Sequence, residues 1–396
     1  MAEKSKPLIE GPTKTNVKKS TGLTKAAPPP APKPVKNAKV AVSRAIGTPG
    51  KFDSKLLDKF KKAKNLGLNA GFKPQEWYPL SAAFNKVIGL PGIPKGQITL
   101  FRGLSDTGKS TALWEAAVEA QRQGDLVVFI ITEMKFTWDR LIKLGFETQE
   151  GVDEETGEII HTGDFIFADR TTLPSIEAVG AFMLDLIGEQ EKGKLPYNLT
   201  FIVDSFGSVP CDMALSLGKN DNRWNAAAMS STFANFINFR FASSRKLTYP
   251  YTNTMIAINK QGIQYPATPM EKPKRTSKGG SSLYFDAALV VDFGNITNAG
   301  TSKLEASKNS KKVVFAKSVK ISVDKNHVTN ATTSGRVVMT DYGFIEDTKA
   351  SIEAYKEEHK HEWLEVLGST DFDIVREADV PEDKITAGSA FATEEE

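Results

Sequence analysis

One cysteine, Cys211, stands among 396 residues, so no intrachain disulfide framework can staple the chain. Four scattered histidines beside that single thiol give no zinc-ligand spacing. Long apolar runs are missing too. The longest strongly apolar one, Leu126 to Ile131, falls far short of the roughly 20 residues a membrane span takes, and no apolar stretch follows Met1. The expectation is a soluble protein of the cytoplasm with no membrane partner. Charge of one sign is scarce as well: the net of +3 makes no case for a polyanionic partner, so any such case rests on where the charges sit.

What is present is a hydrophobic fraction of 40%, enough for a full core in one large domain with appendages or in two. Residues 1–50 read as a disordered, basic, proline-rich arm. Ten Lys/Arg face two Glu before residue 46, and Pro28, Pro29, Pro30, Pro32 and Pro34 prevent a helix. Solvated linker and non-specific phosphate contact are both open for it. Within residues 51–76, Phe52, Leu56, Leu57, Phe60, Ala63 and Leu66 share one helical face.

Residues 77–346 alternate strands with amphipathic helices, the pattern of an α/β core built on a mainly parallel sheet. The expected strands are 98–101, 126–131, 164–168, 199–203, 254–258, 287–291 and 313–323. Leu113, Ala116, Ala117 and Ala120 repeat at helical spacing, as do Met229, Phe233, Phe236, Ile237 and Phe241. Residues 151–162 look like an added acidic hairpin. Residues 261–282, rich in Pro, Gly, Ser and Lys, read as a long functional or mobile loop. A helical segment at 347–368 and a disordered acidic tail at 369–396 close the chain.

The chemistry is carried first by Gly103, Leu104, Ser105, Asp106, Thr107, Gly108, Lys109 and Ser110, with Thr111 following. A glycine-bounded loop between a strand and a helix aims backbone N–H groups at phosphates. Lys109 then reaches the β- and γ-phosphates, and Ser110 offers its hydroxyl to Mg²⁺. ATP with Mg²⁺ is the expected ligand. Two carboxylates end hydrophobic strands, where ligands of parallel sheets sit. Glu133 is the candidate general base for the attacking water. Asp204, followed by Ser205 in the Walker B pattern, is the candidate acid of the Mg²⁺ shell. An amide in the segment Asn259, Lys260, Gln261 can sense the γ-phosphate or merely cap the strand. Lys272, Lys274, Arg275 and Lys278, followed by Gly279 and Gly280, form a flexible basic stretch suited to single-stranded nucleic acid; a solvated loop is the bland alternative.

These residues resemble the RecA/RadA family of homologous-recombination ATPases, including phage recombinases such as UvsX. Pro79 to Gly96 looks like the family's lead-in to the phosphate loop, and Thr132 to Arg140 resembles a RadA-type segment. That pairing implies catalytic Glu133 and an Arg140 that stacks on adenine. Gly279 to Ala287 resembles the stretch after the second DNA-binding loop of RecA, and the first DNA loop would fall at Pro210 to Arg223. Val319 to Asn326 resembles the segment whose lysines reach ATP on the neighbouring protomer. Lys325 fits, while His327 stands at the next such position. Lys260 occupies the place of the γ-phosphate-sensing glutamine, leaving Gln261, one residue on, or a weakened sensor. Phe60 and Ala63 match the family's oligomerisation tetrapeptide.

The resemblance implies a RecA-type P-loop core with an N-terminal helix and disordered tails. It also implies a DNA-dependent ATPase forming helical filaments on single-stranded DNA, pairing it with homologous duplex, and served by a single-strand-binding or loader protein. A ring helicase or translocase using the same loop, and a non-catalytic nucleotide-binding paralogue, are the alternatives.

Overall fold

Runs of Val, Ile, Leu and Phe with few polar breaks are what a strand covered on both faces requires, and several such runs lie side by side here. The computed structural model describes residues 71–133, 135–153, 157, 159–218, 222–264, 273–277, 281–296, 299–308 and 311–368. The proline-rich arm, the helical face carrying Phe60 and Ala63, and the acidic tail lie outside the described residues. The strands are β1 (Trp77–Tyr78), β2 (Ile93–Pro94), β3 (Ile98–Gly103), β4 (Leu126–Ile131), β5 (Gln149–Val152), β6 (Ile159–Thr162), β7 (Phe165–Asp169), β8 (Leu199–Asp204), β9 (Asn253–Gln264), β10 (Lys274–Ser277), β11 (Leu289–Phe293), β12 (Ser302–Lys308), β13 (Lys311–Asn326), β14 (Ser334–Thr340) and β15 (Gly343–Glu346).

Strands β11, β3, β9, β8, β4 and β7 are neighbours in that order and all parallel. An antiparallel wing of β13, β14 and β15 continues from β11, with β12 paired to β13. The α/β core with a large, mostly parallel sheet is thus present. Period-two alternation divides the apolar residues between the two faces. Phe101, Phe129 and Ile131 pack with the helices Ala82–Ile88 and Lys109–Arg122 on one face. Leu100, Val128 and Ile130 pack with Ile176–Glu191 and the buried Met229, Phe233, Ile237 and Phe241 on the other.

At the sheet's opposite end from the functional loops, Asp125 joins the lead-in segment to the core. It accepts from Lys95 at 3.0 Å and from Asn198 at 2.9 Å, and pairs with the Tyr78 hydroxyl. A buried carboxylate survives there because its oxygens are satisfied by several donors.

Within 261–282, residues 261–264 and 274–277 depart from the loop expected of them. Strand β9 runs on to Gln264 and pairs antiparallel with β10, Gln261 facing Ser277 and Gln264 facing Lys274. Local composition there lacks a strand signal, and the pairing is supplied by the neighbouring backbone. Gln149–Val152 and Ile159–Thr162 do pair antiparallel, β5 with β6. Among the described residues no helix is long and apolar enough to cross a membrane.

Candidate functional site

Strand β3 ends at Gly103 and the helix Lys109–Arg122 begins six residues later, so the loop between them turns within a few residues. A Cβ at Gly103 would lie 2.3 Å from the Phe293 carbonyl oxygen, and Gly108 adopts a left-handed φ of 92°. Neither position accepts a side chain without strain. Thr107 Oγ1 and Lys109 Nζ both donate to the Leu104 carbonyl, at 2.8 and 2.6 Å. Burial lowers the Lys109 ammonium's pKa, against the attraction of Asp204, Glu133 and Asp106.

Ser110 follows Lys109, and its Oγ donates to Asp204 Oδ2 at 3.0 Å. Asp204 ends β8, and burial, then the Glu133 charge, push its carboxyl up to about 6. A carboxyl with a hydroxyl beside it offers two oxygen donors of the kind a hard cation with few protein ligands takes. Among the described residues no group of three His, Cys, Asp or Glu side chains could hold a metal. Mg²⁺ needs none, since it draws most of its ligands from phosphate and water.

Glu133 lies just past β4, which pairs with β8 so that Ile131 faces Asp204. Thr132 closes the junction, its N–H donating to Asp204 O at 2.7 Å and its Oγ1 to Ser205 O at 2.8 Å. Glu133 Oε1 receives Ser205 Oγ at 2.7 Å, Ser208 Oγ at 3.2 Å and Lys260 Nζ at 3.2 Å. Burial pushes this carboxyl up, but the bonds from Ser205 and Lys260, the Lys260 charge and the Ser208 bond together hold it below the ordinary range.

These groups share a cleft of about 620 Å³. Leu104, Ser105, Asp106, Thr107, Thr111, Arg140, Lys260 and Gln261 also line it. Arg140 Nη2 donates to Thr111 Oγ1 at 3.2 Å, while its buried Nε has no hydrogen-bond partner among the described residues. Gln261 Nε2 donates to Ile296 O at 2.8 Å.

Other sequence candidates are placed differently. Arg275, read as part of a solvent-facing basic stretch, turns inward and is 12% exposed. Its Nη1 donates to Gln261 Oε1 and its Nη2 to Gly294 O, each at 2.9 Å, with Nε 3.4 Å from Asp292. The cause is the pairing of β10 with β9, which seats the guanidinium fork over three acceptors. Lys274 begins β10. Lys272, Lys278, Gly279 and Gly280 lie outside the described residues. Arg223 is exposed on the helix Asn222–Met229. Lys325 donates to Tyr284 O and Phe285 O, at 2.9 and 2.7 Å, and is not part of the cleft lining of its own chain.

Lys303, Lys317 and Met339 form part of the cleft wall, from three paired strands of the antiparallel wing. They carry no local motif. Only the register, Lys303 opposite Lys317 and Lys317 opposite Met339, brings them together. The Lys260–Glu133 ion pair likewise joins residues 127 positions apart in sequence and has no signature short of the fold.

No protein-family model matches the sequence. The chain is similar to Protein RecA of Mesoplasma florum, 28% identical over 109 residues, which are 26% of this chain and 32% of that one. Protein RecA of Arthrobacter sp. is 34% identical over 68 residues, 17% of this chain and 19% of its own. For that of Desulforapulum autotrophicum the figures are 34% over 80 residues, 20% and 23%. The chain thus spans about a third or less of the length of these relatives. Partial matches of this kind, together with the sheet and its phosphate loop, support a relationship to the RecA family.

Proposed function

We propose, with the RecA relationship as premise, that the chain is a DNA-dependent ATPase that assembles on single-stranded DNA and promotes pairing and strand exchange with homologous duplex. The observation that carries this reading is the convergence of Lys109, the Ser110–Asp204 pair and Glu133 at the carboxyl ends of three strands of one parallel sheet, β3, β8 and β4. Ligands of such sheets bind at the carboxyl ends of the strands.

Backbone amides of the loop and the start of the following helix cradle the phosphates, and Lys109 leaves the Leu104 carbonyl to meet them. Ser110 and Asp204 would hold Mg²⁺, which would supply neutralisation of charge on the phosphoryl oxygens. Glu133 orients a water and takes its proton as the oxygen bonds to the γ-phosphorus and the bond to the bridging oxygen breaks, leaving ADP and phosphate. Arg140 is assigned to the adenine side. Lys272, Lys274, Lys278 and Arg223 are assigned to DNA, and Phe60 and Ala63 to self-association in a helical filament. Lys325 is assigned to the nucleotide of the adjacent protomer.

ATP hydrolysis measured with and without single-stranded DNA at two salt concentrations, with negative-stain images of the same samples, tests the reading. Strong stimulation by DNA with helical filaments is the expected result. Nucleotide binding with neither stimulation nor filaments would overturn it.

A further inference from the structure

Two parts of the cleft lining come from segments far apart in sequence. Thr137 and Arg140 belong to the helix Trp138–Lys143 and the residue that opens it, whereas Thr340 and Asp341 belong to the turn between β14 and β15. Six residues make less than two turns, too few for a helix to hold by itself, so its place depends on what each end packs against. Trp138 anchors the first turn among Phe129, Phe136 and Phe165. In the last turn, Lys143 Nζ lies 3.8 Å from Glu362 Oε2 and 5.6 Å from the centre of the Tyr342 ring.

Glu362 belongs to the helix Lys360–Gly368 and is not itself part of the cleft lining. Its Oε1 accepts from the Tyr342 hydroxyl, with His359 Nδ1 3.7 Å and His361 Nε2 3.9 Å away. Tyr342 directly follows Asp341 in a tied turn, where Thr340 Oγ1 accepts from Tyr342 N at 3.1 Å and donates to Gly343 O at 2.8 Å. A second support lies beside it: Tyr355 stacks on Phe315, another residue of the cleft wall, at 6.4 Å. The hydrogen bond from Tyr342, opposed by burial and aided by Lys143 and the two histidines, holds the Glu362 carboxyl below its ordinary range. One carboxylate thus joins both segments from outside the cleft. The pair it makes with Lys143 is 31% and 43% exposed, and such a pair adds little to folding.

We propose that Glu362 is a positioning residue for the base of a bound nucleotide: it ties the helix that carries Arg140 to the turn that carries Asp341 and so fixes the width of the cleft between them. The inference rests on the ATPase reading above, which assigns Arg140 to the adenine side. The phosphate subsite at Lys109, Ser110 and Asp204 is built without this tie, so the two ends of the cleft respond differently to its loss.

The test is titration calorimetry of the full chain with ATPγS, ADP and inorganic tripolyphosphate, each with Mg²⁺. Glu362→Gln is expected to weaken both nucleotides by about fivefold, the upper end for an exposed ion pair, and to leave tripolyphosphate within about twofold. Lys143→Met should do the same, and the double variant should bind no more weakly than the weaker single one, because the two residues act through one contact. Melting temperatures of the variants should stay within about 3 °C of wild type. The two changes lie on different helices, so that a loss of folding in one leaves the other to decide. Nucleotide affinities equal to wild type, losses as large for tripolyphosphate as for the nucleotides, or losses that add in the double variant would overturn the proposal. Wild-type protein that binds neither nucleotide would overturn the ATPase reading and this inference with it.

Discussion

Glu115, in the helix that begins with the phosphate-loop lysine, accepts a hydrogen bond from the backbone N–H of Phe344 at 3.0 Å, across 229 positions of sequence. Its other oxygen receives Ser81 N at 3.0 Å and Ser81 Oγ at 3.1 Å. Burial raises this carboxyl from 4.5 to about 7, with the three hydrogen bonds opposing. A raised acid binds its proton more tightly when folded, so the contribution of Glu115 to stability is greatest below about 4.5 and declines as pH rises to about 7. The decline is on the order of 3 kcal/mol. Glu115→Gln should flatten that dependence, read as urea midpoints at pH 5 and pH 8. A pH dependence identical to wild type would remove Glu115 from the account.

Asp292 is held by two arginines. Arg102 Nε reaches it at 2.8 Å from strand β3, and Arg275 Nε lies at 3.4 Å from β10. Removing the charge leaves both guanidinium groups short of a partner inside the protein, although Arg102 keeps Asp324 at 2.6 Å. Asp292→Asn should therefore destabilise by roughly 3 kcal/mol, the lower end for breaking a buried ion pair. A thermal melt within a degree of wild type would contradict this.

The catalytic assignments separate by what each variant loses. Lys109→Ala removes the charge next to the phosphates and should abolish measurable ATP binding. Glu133→Gln keeps the hydrogen-bonding shape and should retain binding while turnover falls by about a hundredfold or more. Single-turnover and equilibrium-binding measurements distinguish the two. Normal turnover in Glu133→Gln would return the base assignment to another group.

Much of this arrangement was legible before the fold was known, because it rests on local rules. The phosphate loop needs a strand, two glycines and a helix in immediate succession, and Glu133 and Asp204 each end a strand that reads as buried on both faces. Strand β4 has the expected bounds, while β9 and β13 run longer than expected, since polar residues at their ends pair with neighbouring backbone rather than bury apolar side chains. What was not legible depends on register between distant strands. Lys317 reaches the cleft only because β13 pairs with both β12 and β14. The inward turn of Arg275 follows from a hairpin hidden in a stretch of Pro, Gly and Lys.

That inward turn separates Arg275 from its basic neighbours in a way DNA binding can report. A lysine that neutralises a phosphate contributes about 0.7 to the slope of log affinity against log salt on single strands. Replacing Lys272, Lys274 and Lys278 by alanine together should lower the slope by about 2 and weaken binding uniformly across sequences. Arg275→Ala should leave the slope nearly unchanged, because the guanidinium is committed to Gln261, Gly294 and Asp292. It should act instead on nucleotide control: Gln261 loses the donor that orients its carbonyl oxygen, so the difference in DNA affinity between ATPγS and ADP should narrow. Fluorescence anisotropy with labelled single-stranded DNA, titrated over a salt series with each nucleotide, reads both quantities. A slope that falls with Arg275→Ala as much as with a single lysine change would mean that the guanidinium leaves Asp292 to contact DNA, and the buried network would then be a resting arrangement and not a fixed support.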